Sequence, residues 1–434
     1  MSATRADDLS GGARVWALAR SWVPTAFGSS LLAWEIPVVA AVVTRMPQGP
    51  SALAALGAGL SVLFVVNSPA LALAPLVVVA RAVHGSSALL RHALVTGVAG
   101  SAVMLGLAAL PAVPALIGLP AGLHGMFQVC LLSFATAPPA VALRRYLHGR
   151  LIERDRTQPI AVATGVRIAV TIAAALGLWR AGLTTAAVGG VALSAGAWAE
   201  AAYLSTAVRR LAVTEDVQKG AGRLLAQHAR LTSNILLNMS PALITTVVLA
   251  RSGAAEASLI VWPALYGLLS LGTIPLSDFE TVGAALLRRT GDVAVLRRFT
   301  VLLAGTLLAA GLLVACTPLA HLYLTGFSNV PPGPAYLGES WVAVLVAVPA
   351  LWAVRGQARA LIIAADRTSV LLRAAVAHVG GMLALGLLLP LTRLPGVACA
   401  SIALLGALAA EILVLRAGHR RDGQPARGGR KVRR

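Results

Sequence analysis

The chain has 434 residues, of which 58% are hydrophobic and only 12% are charged, and its formal net charge is +20. A water-soluble domain of this length needs far more polar surface, so the composition excludes a soluble globular protein. Repeated apolar stretches of about 18 residues or more are typical of membrane-spanning helices. The predicted fold class is therefore all-α, in the form of a polytopic integral membrane protein.

The apolar stretches divide into twelve predicted spans, and Pro69 and Pro75 interrupt the second of them. An even number of spans places both chain ends on the same side of the membrane. In chain order the predicted spans cover residues 21–44, 52–79, 93–115, 122–143, 158–179, 184–206, 231–250, 256–277, 299–322, 340–362, 370–390 and 394–415.

The basic residues are distributed unevenly between the two sides of this arrangement. Of 36 Lys and Arg, 31 fall on the side of the chain ends; the other five are Arg167, within a span, and Arg45, Arg180, Arg251 and Arg393, on the other side. The positive-inside rule therefore predicts a multi-pass protein of the cell membrane with both termini in the cytoplasm. This distribution argues against nucleic acid as a partner and favours membrane lipids.

The chain contains an internal repeat. With a shift of 211 residues, the segment 138–157 matches 349–368, and the same register continues through the sixth and twelfth spans. Aligned pairs include Arg144 with Arg355, Glu200 with Glu411 and, in an earlier block with a shift of 206, Arg45 with Arg251. Both repeats of six spans enter from the same side, which predicts two parallel lobes related by an axis along the membrane normal.

The repeat also predicts the domain organisation and a class of function. In parallel-repeat transporters the substrate lies between the lobes, and alternating access rocks one lobe against the other. A monomeric transporter is favoured over two duplicated bundles that form an inert scaffold. The predicted divisions are an N-terminal tail (1–20), an N-lobe (21–210), a linker (211–230), a C-lobe (231–416) and a basic tail (417–434).

Glu35 is an acidic residue in the middle of span 1. Pro37 follows it, and the aligned residue of the second repeat is Pro241, so the duplication supplies no matching acid. No basic partner is evident nearby, and an unpaired acid that faces a cavity within a membrane is typical of proton or cation coupling. The alternative is a carboxylate bonded to Ser or backbone groups at the kink.

Spans 2 and 7 carry amides and hydroxyls that suit a polar substrate, although such residues also bridge helices. Asn234 and Asn238 lie four residues apart and share one helix face. The candidates for substrate or ion binding are Glu35, Asn67, Ser68, Asn234, Asn238 and Thr245.

Two pairs of charged residues are predicted within the lobes. Glu200 and Arg167 each lie nine residues from the cytoplasmic end of adjacent spans, which places both about 13 Å deep. Glu411 and His378 have the same spacing in the second repeat. Buried intralobe pairing is the favoured interpretation, and proton coupling, chiefly at His378, is the alternative.

Arginines also occur near the predicted inner ends of spans 4 and 10. Arg144, Arg355 and Arg359 either anchor these ends or attract anionic groups to a cytoplasmic cavity. Asp278 and Glu280, in "LSDFETVG" at the inner end of span 8, are candidates for gate ion pairs with these arginines.

Several motifs resemble the multidrug/oligosaccharidyl-lipid/polysaccharide (MOP) exporter superfamily. They are a Pro near the start of spans 4 and 10 and the basic "R…DRT" loops that follow. Within the superfamily, the stretches "WVPTAFGSSLLAWEIPVVAAVVTR", "PLSDFETVG" and "LPGVACASIALLGALAAEILVLRAGHR" are similar to the progressive ankylosis (ANK)-like branch, in which Glu35 matches a glutamate of the first helix. The resemblance implies a MATE-like exporter that moves amphiphilic or anionic solutes outward, driven by an ion gradient.

Other functions are weighed against a proton- or sodium-coupled exporter. A lipid-linked oligosaccharide flippase is the nearest alternative, and a non-transporting scaffold or a polytopic lipid-modifying enzyme belongs to another class. No outer loop carries a catalytic cluster, and no GxxxxGK[ST] motif for ATP is present. Cys130, Cys316 and Cys399 are scattered and form no metal or disulfide pattern, so neither a metal nor a cofactor is predicted.

Overall fold

The computed structural model describes residues 11–154, 156, 158–209 and 221–421. Twelve long helices, several of them kinked, run through these residues, and the described part of the chain contains no β-strand. This architecture confirms the predicted all-α membrane fold.

The first six helices form one half of the molecule. Short helices at Ala112–Ile117 and Ala121–Leu123 connect the third and fourth of them. Their bounds are α1, Gly11–Ala33 and Glu35–Val43; α2, Gly49–Val66, Ser68–Leu71 and Leu73–His84; α3, Ser86–Ala109; α4, His124–Ser133 and Ala137–Glu153; α5, Gln158–Arg180; and α6, Ala187–Arg209.

The second six helices repeat this plan. The turns Leu319–His321 and Leu322–Phe327 stand between α9 and α10. The bounds are α7, Ala221–Arg251; α8, Ala255–Thr273, Ile274–Leu276 and Phe279–Thr290; α9, Val293–Cys316; α10, Pro332–Leu345 and Ala347–Ala364; α11, Thr368–Leu388; and α12, Gly396–Arg421.

Eleven stretches of the described residues are long and apolar enough to cross a membrane, and α6 is the one long helix outside this set. Small residues and Glu200 dilute the apolar character of α6. Glu200 and the faces of α6 that contact α4 and α5 are buried against protein. A helix of 23 residues spans about 35 Å, which is enough to cross the hydrocarbon core.

Three helices extend beyond the predicted spans at the end of the molecule that carries both chain ends, here called the basic face. Helix α1 already begins at Gly11, α7 at Ala221, and α12 continues to Arg421. The extensions of α1 and α7 bury apolar side chains, whereas that of α12 carries the exposed Arg416 and Arg420. Leu18 packs against Phe279, and Leu224 packs into the cluster around Leu73 and Tyr146.

The two halves are related by a pseudo-twofold axis that runs between α2 and α8. Gly57 of α2 and Pro263 of α8 are aligned residues of the two repeats, and a Cβ on Gly57 would collide with the ring of Pro263. A residue contacts its own repeat equivalent only close to a twofold axis. The contact therefore agrees with the predicted parallel lobes.

Helices α1 and α7 each cross from one lobe to the other. The first segment of α1 packs mainly on α8 and α9, whereas its second segment packs on α5 and α6 as well as on α8. At its start, Arg14 lies 3.4 Å from Asp292, which caps α9 by accepting a hydrogen bond from the Val295 amide. That hydrogen bond holds the pKa of Asp292 below its usual range.

The packing differs between the two faces. At the face opposite the chain ends, one cluster of buried residues includes both lobes, among them Leu53, Leu56, Phe127, Leu259, Leu265 and Val342. Toward the basic face the buried residues form three separate clusters. One lies around Tyr146 and Leu204, another around Trp22 and Phe279, and a third around Ile362 and Leu415. The lobes are therefore joined mainly at the opposite face.

Two arginines also join the lobes at the opposite face. Arg45, at the end of α1, donates hydrogen bonds of 2.9 Å to the carbonyls of Gly326 and Phe327. Arg251, at the end of α7, donates one of 2.5 Å to the carbonyl of Leu116. Arg45 and Arg251 are aligned by the repeat, as are Leu116 and Phe327, so the two contacts obey the pseudo-symmetry.

Candidate functional site

The N-lobe contains a cluster of five ionisable side chains that we call the N-lobe charge cluster. Helix α1 supplies one of them, α4 two, and α5 and α6 one each. The members are Glu35, Arg144, His148, Arg167 and Glu200.

Glu200 lies at the centre of this cluster, with a side chain that is 1% exposed. Arg144 Nη1 donates to Oε2 at 2.8 Å, and His148 Nε2 lies 3.1 Å from Oε1. Arg144 and His148 are four residues apart on α4, so both face α6. Arg167 Nη1 is farther away, at 3.5 Å from Oε2.

Glu35 has its own basic partner, and the expectation that it lacks one is wrong. Arg167 donates to it through Nε at 2.8 Å and Nη2 at 2.6 Å, in the two-pronged geometry that guanidinium and carboxylate groups favour. The Thr171 hydroxyl adds a hydrogen bond of 2.9 Å. Sequence separation hid this pairing, because α1 and α5 are brought together only by the tertiary fold.

The kink of α1 positions Glu35 at the point where this helix changes lobes. The helix is interrupted between Ala33 and Glu35, and Pro37 has no amide hydrogen to donate to the Ala33 carbonyl. The Ser270 hydroxyl of α8 lies within 3.4 Å of that carbonyl and donates to it. The kink thus contacts the C-lobe while the adjacent carboxylate binds the N-lobe.

The C-lobe contains an equivalent cluster, here called the C-lobe charge cluster. Its members are Glu280, Arg355, Arg359, His378 and Glu411. The Glu411 side chain is 1% exposed, and Arg355 Nε lies 2.8 Å, and Arg359 Nη1 3.3 Å, from its Oε1. His378 Nδ1 is 3.0 Å from Oε2.

A second acid completes the C-lobe charge cluster from a different direction. Glu280, in the first turn of Phe279–Thr290, accepts a hydrogen bond from Arg359. This is the ion pair that the sequence indicated between span 8 and the span 10 arginines. Both residues belong to the C-lobe, so the contact closes no gap between the lobes.

The repeat relates the two clusters residue by residue, with one exchange. Arg144 and Glu200 align with Arg355 and Glu411, whereas His148 aligns with Arg359 and Arg167 with His378. Arginine and histidine have therefore changed places between two equivalent positions. At these two positions the arginine is the residue that pairs with the second acid. Arg167 pairs with Glu35 of α1 in the N-lobe, and Arg359 pairs with Glu280 of α8 in the C-lobe.

The composition of both clusters is the same, with two acids, two arginines and one histidine. Two carboxylates balance two guanidinium groups, so each cluster is electroneutral when its histidine is neutral. A buried charge without a partner costs several kcal/mol, roughly 3–5 when one member of a pair is removed. This cost explains why charge is balanced within each lobe separately.

His148 was missed by the sequence analysis although its signal was available. It lies four residues after Arg144, and the shift of 211 places it on Arg359, itself a candidate. The arginines of these positions are not at helix ends: Arg144 and Arg355 lie in the middle of Ala137–Glu153 and Ala347–Ala364.

The remaining candidates lie in different surroundings. Ser68 is fully buried and donates to the Phe64 carbonyl, and Asn67 is buried at the first break of α2.

Asn234 and Asn238 are exposed on α7, whereas Thr245, farther along the same helix face, is buried. Asp278 is exposed and receives a hydrogen bond from Ser29 at 3.4 Å.

On this side of α7 the side chains are exposed near the basic face and buried toward the opposite face. This change is expected of a cleft between the lobes that narrows away from the basic face. In the part of the chain that the structure describes, no group of three or more His, Cys, Asp or Glu could hold a metal ion.

Comparison by sequence finds neither a matching protein-family model nor a matching curated protein. Comparison of structures finds similar folds. An inward-facing multidrug resistance MATE family transporter of the MOP superfamily is 14% identical, with a TM-score of 0.74 over 90% of this chain and 94% of that chain. An outward-facing MATE transporter is 14% identical, with a TM-score of 0.63 over 94% and 96%.

The lipid II flippase MurJ, in an inward closed conformation, is also similar. Its sequence is 12% identical, with a TM-score of 0.67 over 92% of this chain and 87% of that chain. At these identities the likeness concerns the fold. The chain has a twelve-helix, two-lobe fold similar to that of these MATE transporters and MurJ.

Proposed function

We propose that this protein is a secondary active exporter or flippase that moves an amphiphilic or anionic solute across the cell membrane. The basic face lies in the cytoplasm under the positive-inside rule, with both termini on that side. The protein acts as a monomer, since each chain contains both lobes. The fold of MATE transporters and MurJ supports transport over enzymatic chemistry.

The packing of the two lobes is the observation that carries this proposal. A single buried core joins them at the opposite face, while separate smaller cores lie toward the basic face. Such packing suits alternating access, because opening one face and closing the other requires rearrangement of one shared core only. Under the proposed topology this arrangement corresponds to an inward-facing state.

Glu35 is the proposed coupling residue, for a reason that differs from the sequence argument. It stands where α1 passes from one lobe to the other and ties the second segment of α1 to Arg167. Protonation of Glu35 removes the charge that holds Arg167 and frees this segment to move. Coupling at this residue therefore links a proton to the position of α1 between the lobes.

A proton fits this site better than sodium does. Both carboxylate oxygens of Glu35 accept hydrogen bonds, one from Arg167 alone and one from Arg167 and Thr171. A sodium ion needs several oxygen ligands and would have to displace the positive guanidinium group. A proton needs a single lone pair and leaves the rest of the site in place.

The solute is proposed to enter a cleft between the lobes from the basic face. Asn234 and Asn238 are exposed on α7 and offer amide donors and acceptors to a polar group. A lipid-linked oligosaccharide is the alternative cargo, supported by the likeness to MurJ.

Transport in vesicles tests the proposal. Purified protein is reconstituted, a pH or a sodium gradient is imposed, and the movement of a fluorescent anionic amphiphile and of a fluorescent lipid is followed. We expect movement driven by the pH gradient that is lost in Glu35→Gln and kept in Glu256→Gln, an exposed acid at the start of α8. Full gradient-driven transport by Glu35→Gln excludes Glu35 as the coupling site.

A scaffold makes a different prediction. Spin labels placed on the two lobes at the basic face report a single distance in a scaffold, whatever the pH. A transporter populates at least two distances whose proportions change with pH.

A further inference from the structure

A cavity of about 610 Å³ lies between α9, α10 and α12 at the basic face of the C-lobe. Its size is that of a small-molecule site. Polar groups line one side of it, namely Arg297 of α9, Gln357 of α10, and Arg416 and Arg420 of α12. Apolar side chains, including Val301 and Leu361, line the rest.

This cavity is separate from the C-lobe charge cluster. The lining residues Gln357 and Leu361 occupy one face of α10, and Arg355 and Arg359 occupy another. At 3.6 residues per turn the two faces point roughly 160° apart. The cavity therefore opens away from Glu411, toward the outside of the lobe.

The three arginines of the cavity differ from those of the charge clusters in having no carboxylate. None of Arg297, Arg416 and Arg420 makes a hydrogen bond or ion pair with another described residue, and all three are exposed. Three guanidinium groups around one cavity repel one another unless an anion lies between them. Guanidinium groups bind phosphate well because they present paired donors to two oxygens.

An apolar track leads from this cavity along α9. Val301, Leu308 and Leu312 lie on the same helix face as Arg297 and are 64%, 38% and 44% exposed. This face runs from the basic face toward the middle of the predicted membrane span. A track of this kind matches an acyl chain that continues from a headgroup held by the arginines.

Two lining positions of this cavity carry different residues in the N-lobe. The repeat aligns Gln357 with Tyr146 and Arg416 with Ser205. Tyr146 is buried, and its hydroxyl donates to the Ser86 carbonyl at 3.1 Å, so it fills the space that Gln357 leaves open. The lining therefore differs between the lobes at these two positions, whereas Arg420 aligns with another arginine, Arg209.

We infer that this cavity binds the headgroup of an anionic phospholipid from the adjacent leaflet. The phosphodiester lies between Arg297, Arg416 and Arg420, and one acyl chain follows Val301 and Leu308 on α9. Basic pockets between membrane helices on the cytoplasmic side are suited to anionic headgroups. The site is distinct from the proposed solute cleft, and its occupancy does not depend on transport.

Native mass spectrometry of the purified protein tests the site. The probes are phosphatidylglycerol, phosphatidylcholine with the same acyl chains, and glycerol phosphate. We expect the wild-type protein to bind one phosphatidylglycerol more tightly than the other two probes. Arg297→Gln, Arg416→Gln and Arg420→Gln should each weaken this binding about fivefold, and on the order of 100-fold together.

A matched control separates a site from general charge. The triple variant Arg209→Gln, Arg230→Gln, Arg373→Gln removes the same charge from exposed arginines outside the cavity. It should keep phosphatidylglycerol binding within about twofold of wild type. Equal losses in the two triple variants overturn the proposal.

Two further results decide the kind of ligand. Leu308→Asn should weaken phosphatidylglycerol binding without changing that of glycerol phosphate, because Leu308 lies on the acyl track outside the cavity. Equal affinities for glycerol phosphate and phosphatidylglycerol overturn the lipid assignment in favour of a free anion site. If the triple variant fails to elute as a single species, Arg297→Gln alone, with its fivefold loss, gives the same decision.

Discussion

The N-lobe and C-lobe charge clusters show what a duplicated membrane lobe preserves and what it changes. The central acid, Glu200 or Glu411, and the arginine beside it keep their places. The histidine and the other arginine exchange places, and the second acid arrives from α1 in one lobe and from α8 in the other. The constraint common to both lobes is the charge balance. A buried charge without a partner lowers stability more than a change in the position that supplies the charge.

Packing contacts within the two lobes show the same kind of exchange. On the N-lobe side, Val77 of α2 lies over Gly149 of α4, and in the C-lobe Gly283 of α8 lies over Ala360 of α10. These are aligned positions, so the glycine has moved from one helix of the pair to the other. Close helix packing requires one small residue at the contact, and either helix can supply it.

Removal of either central acid should cause the largest loss of stability, and the loss should be similar in the two lobes. Glu200→Gln leaves Arg144, and Glu411→Gln leaves Arg355, buried without a carboxylate partner, at a cost of about 3–5 kcal/mol. We expect a similar loss of thermal stability in both variants. It is measured as the fraction of detergent-solubilised protein that remains monodisperse after heating. Glu256→Gln, on an exposed acid, is the control; equal behaviour of all three variants contradicts the proposed role of the clusters.

The α1 ion pair offers a second test, through a double-mutant cycle. Arg167→Gln leaves Glu35 buried without its partner, and we expect a loss of about 3 kcal/mol. Glu35→Gln combined with Arg167→Gln restores charge balance, so the double variant should be more stable than Arg167→Gln alone. Additive losses in the same heating assay would show that the two residues act independently.

The two second acids should differ in importance because they differ in burial. The Glu280 side chain is 25% exposed, whereas that of Glu35 is 3% exposed. Water partly screens the Glu280–Arg359 pair, so Glu280→Gln should cost about 1 kcal/mol or less, against roughly 2 for Glu35→Gln. Comparison of the two melting temperatures checks the order, and a larger loss in Glu280→Gln reverses it.

The smallest effects are expected at the opposite face. Arg45 makes two hydrogen bonds to the other lobe and Arg251 makes one, and both are solvent-exposed. Arg45→Gln should therefore open this face more often than Arg251→Gln, by a few-fold in population rather than completely. The labelling rate of a cysteine introduced at Asn329, which bonds to the Thr44 carbonyl across the lobes, measures this opening. Equal rates in the two variants contradict the ranking.

The sequence alone determined the membrane class, the twelve helices and the two parallel halves. These features follow from patterns that act over short distances or repeat along the chain, such as apolar runs, the placement of arginine in loops and the 211-residue register. Depth along a helix is equally local, and this is why Glu200 and Arg167 could be placed at one level before the fold was known.

Only the tertiary structure decided which charges meet. Arg167 has two acids within reach, and its stronger contacts are with Glu35, which is 132 residues distant in the chain. That choice depends on α1 crossing between the lobes at its kink, a consequence of how the extended ends of α1 and α7 bury their apolar faces. Helix periodicity fixes the side of a helix on which a charge lies, whereas the partner is fixed by the packing of whole helices against one another.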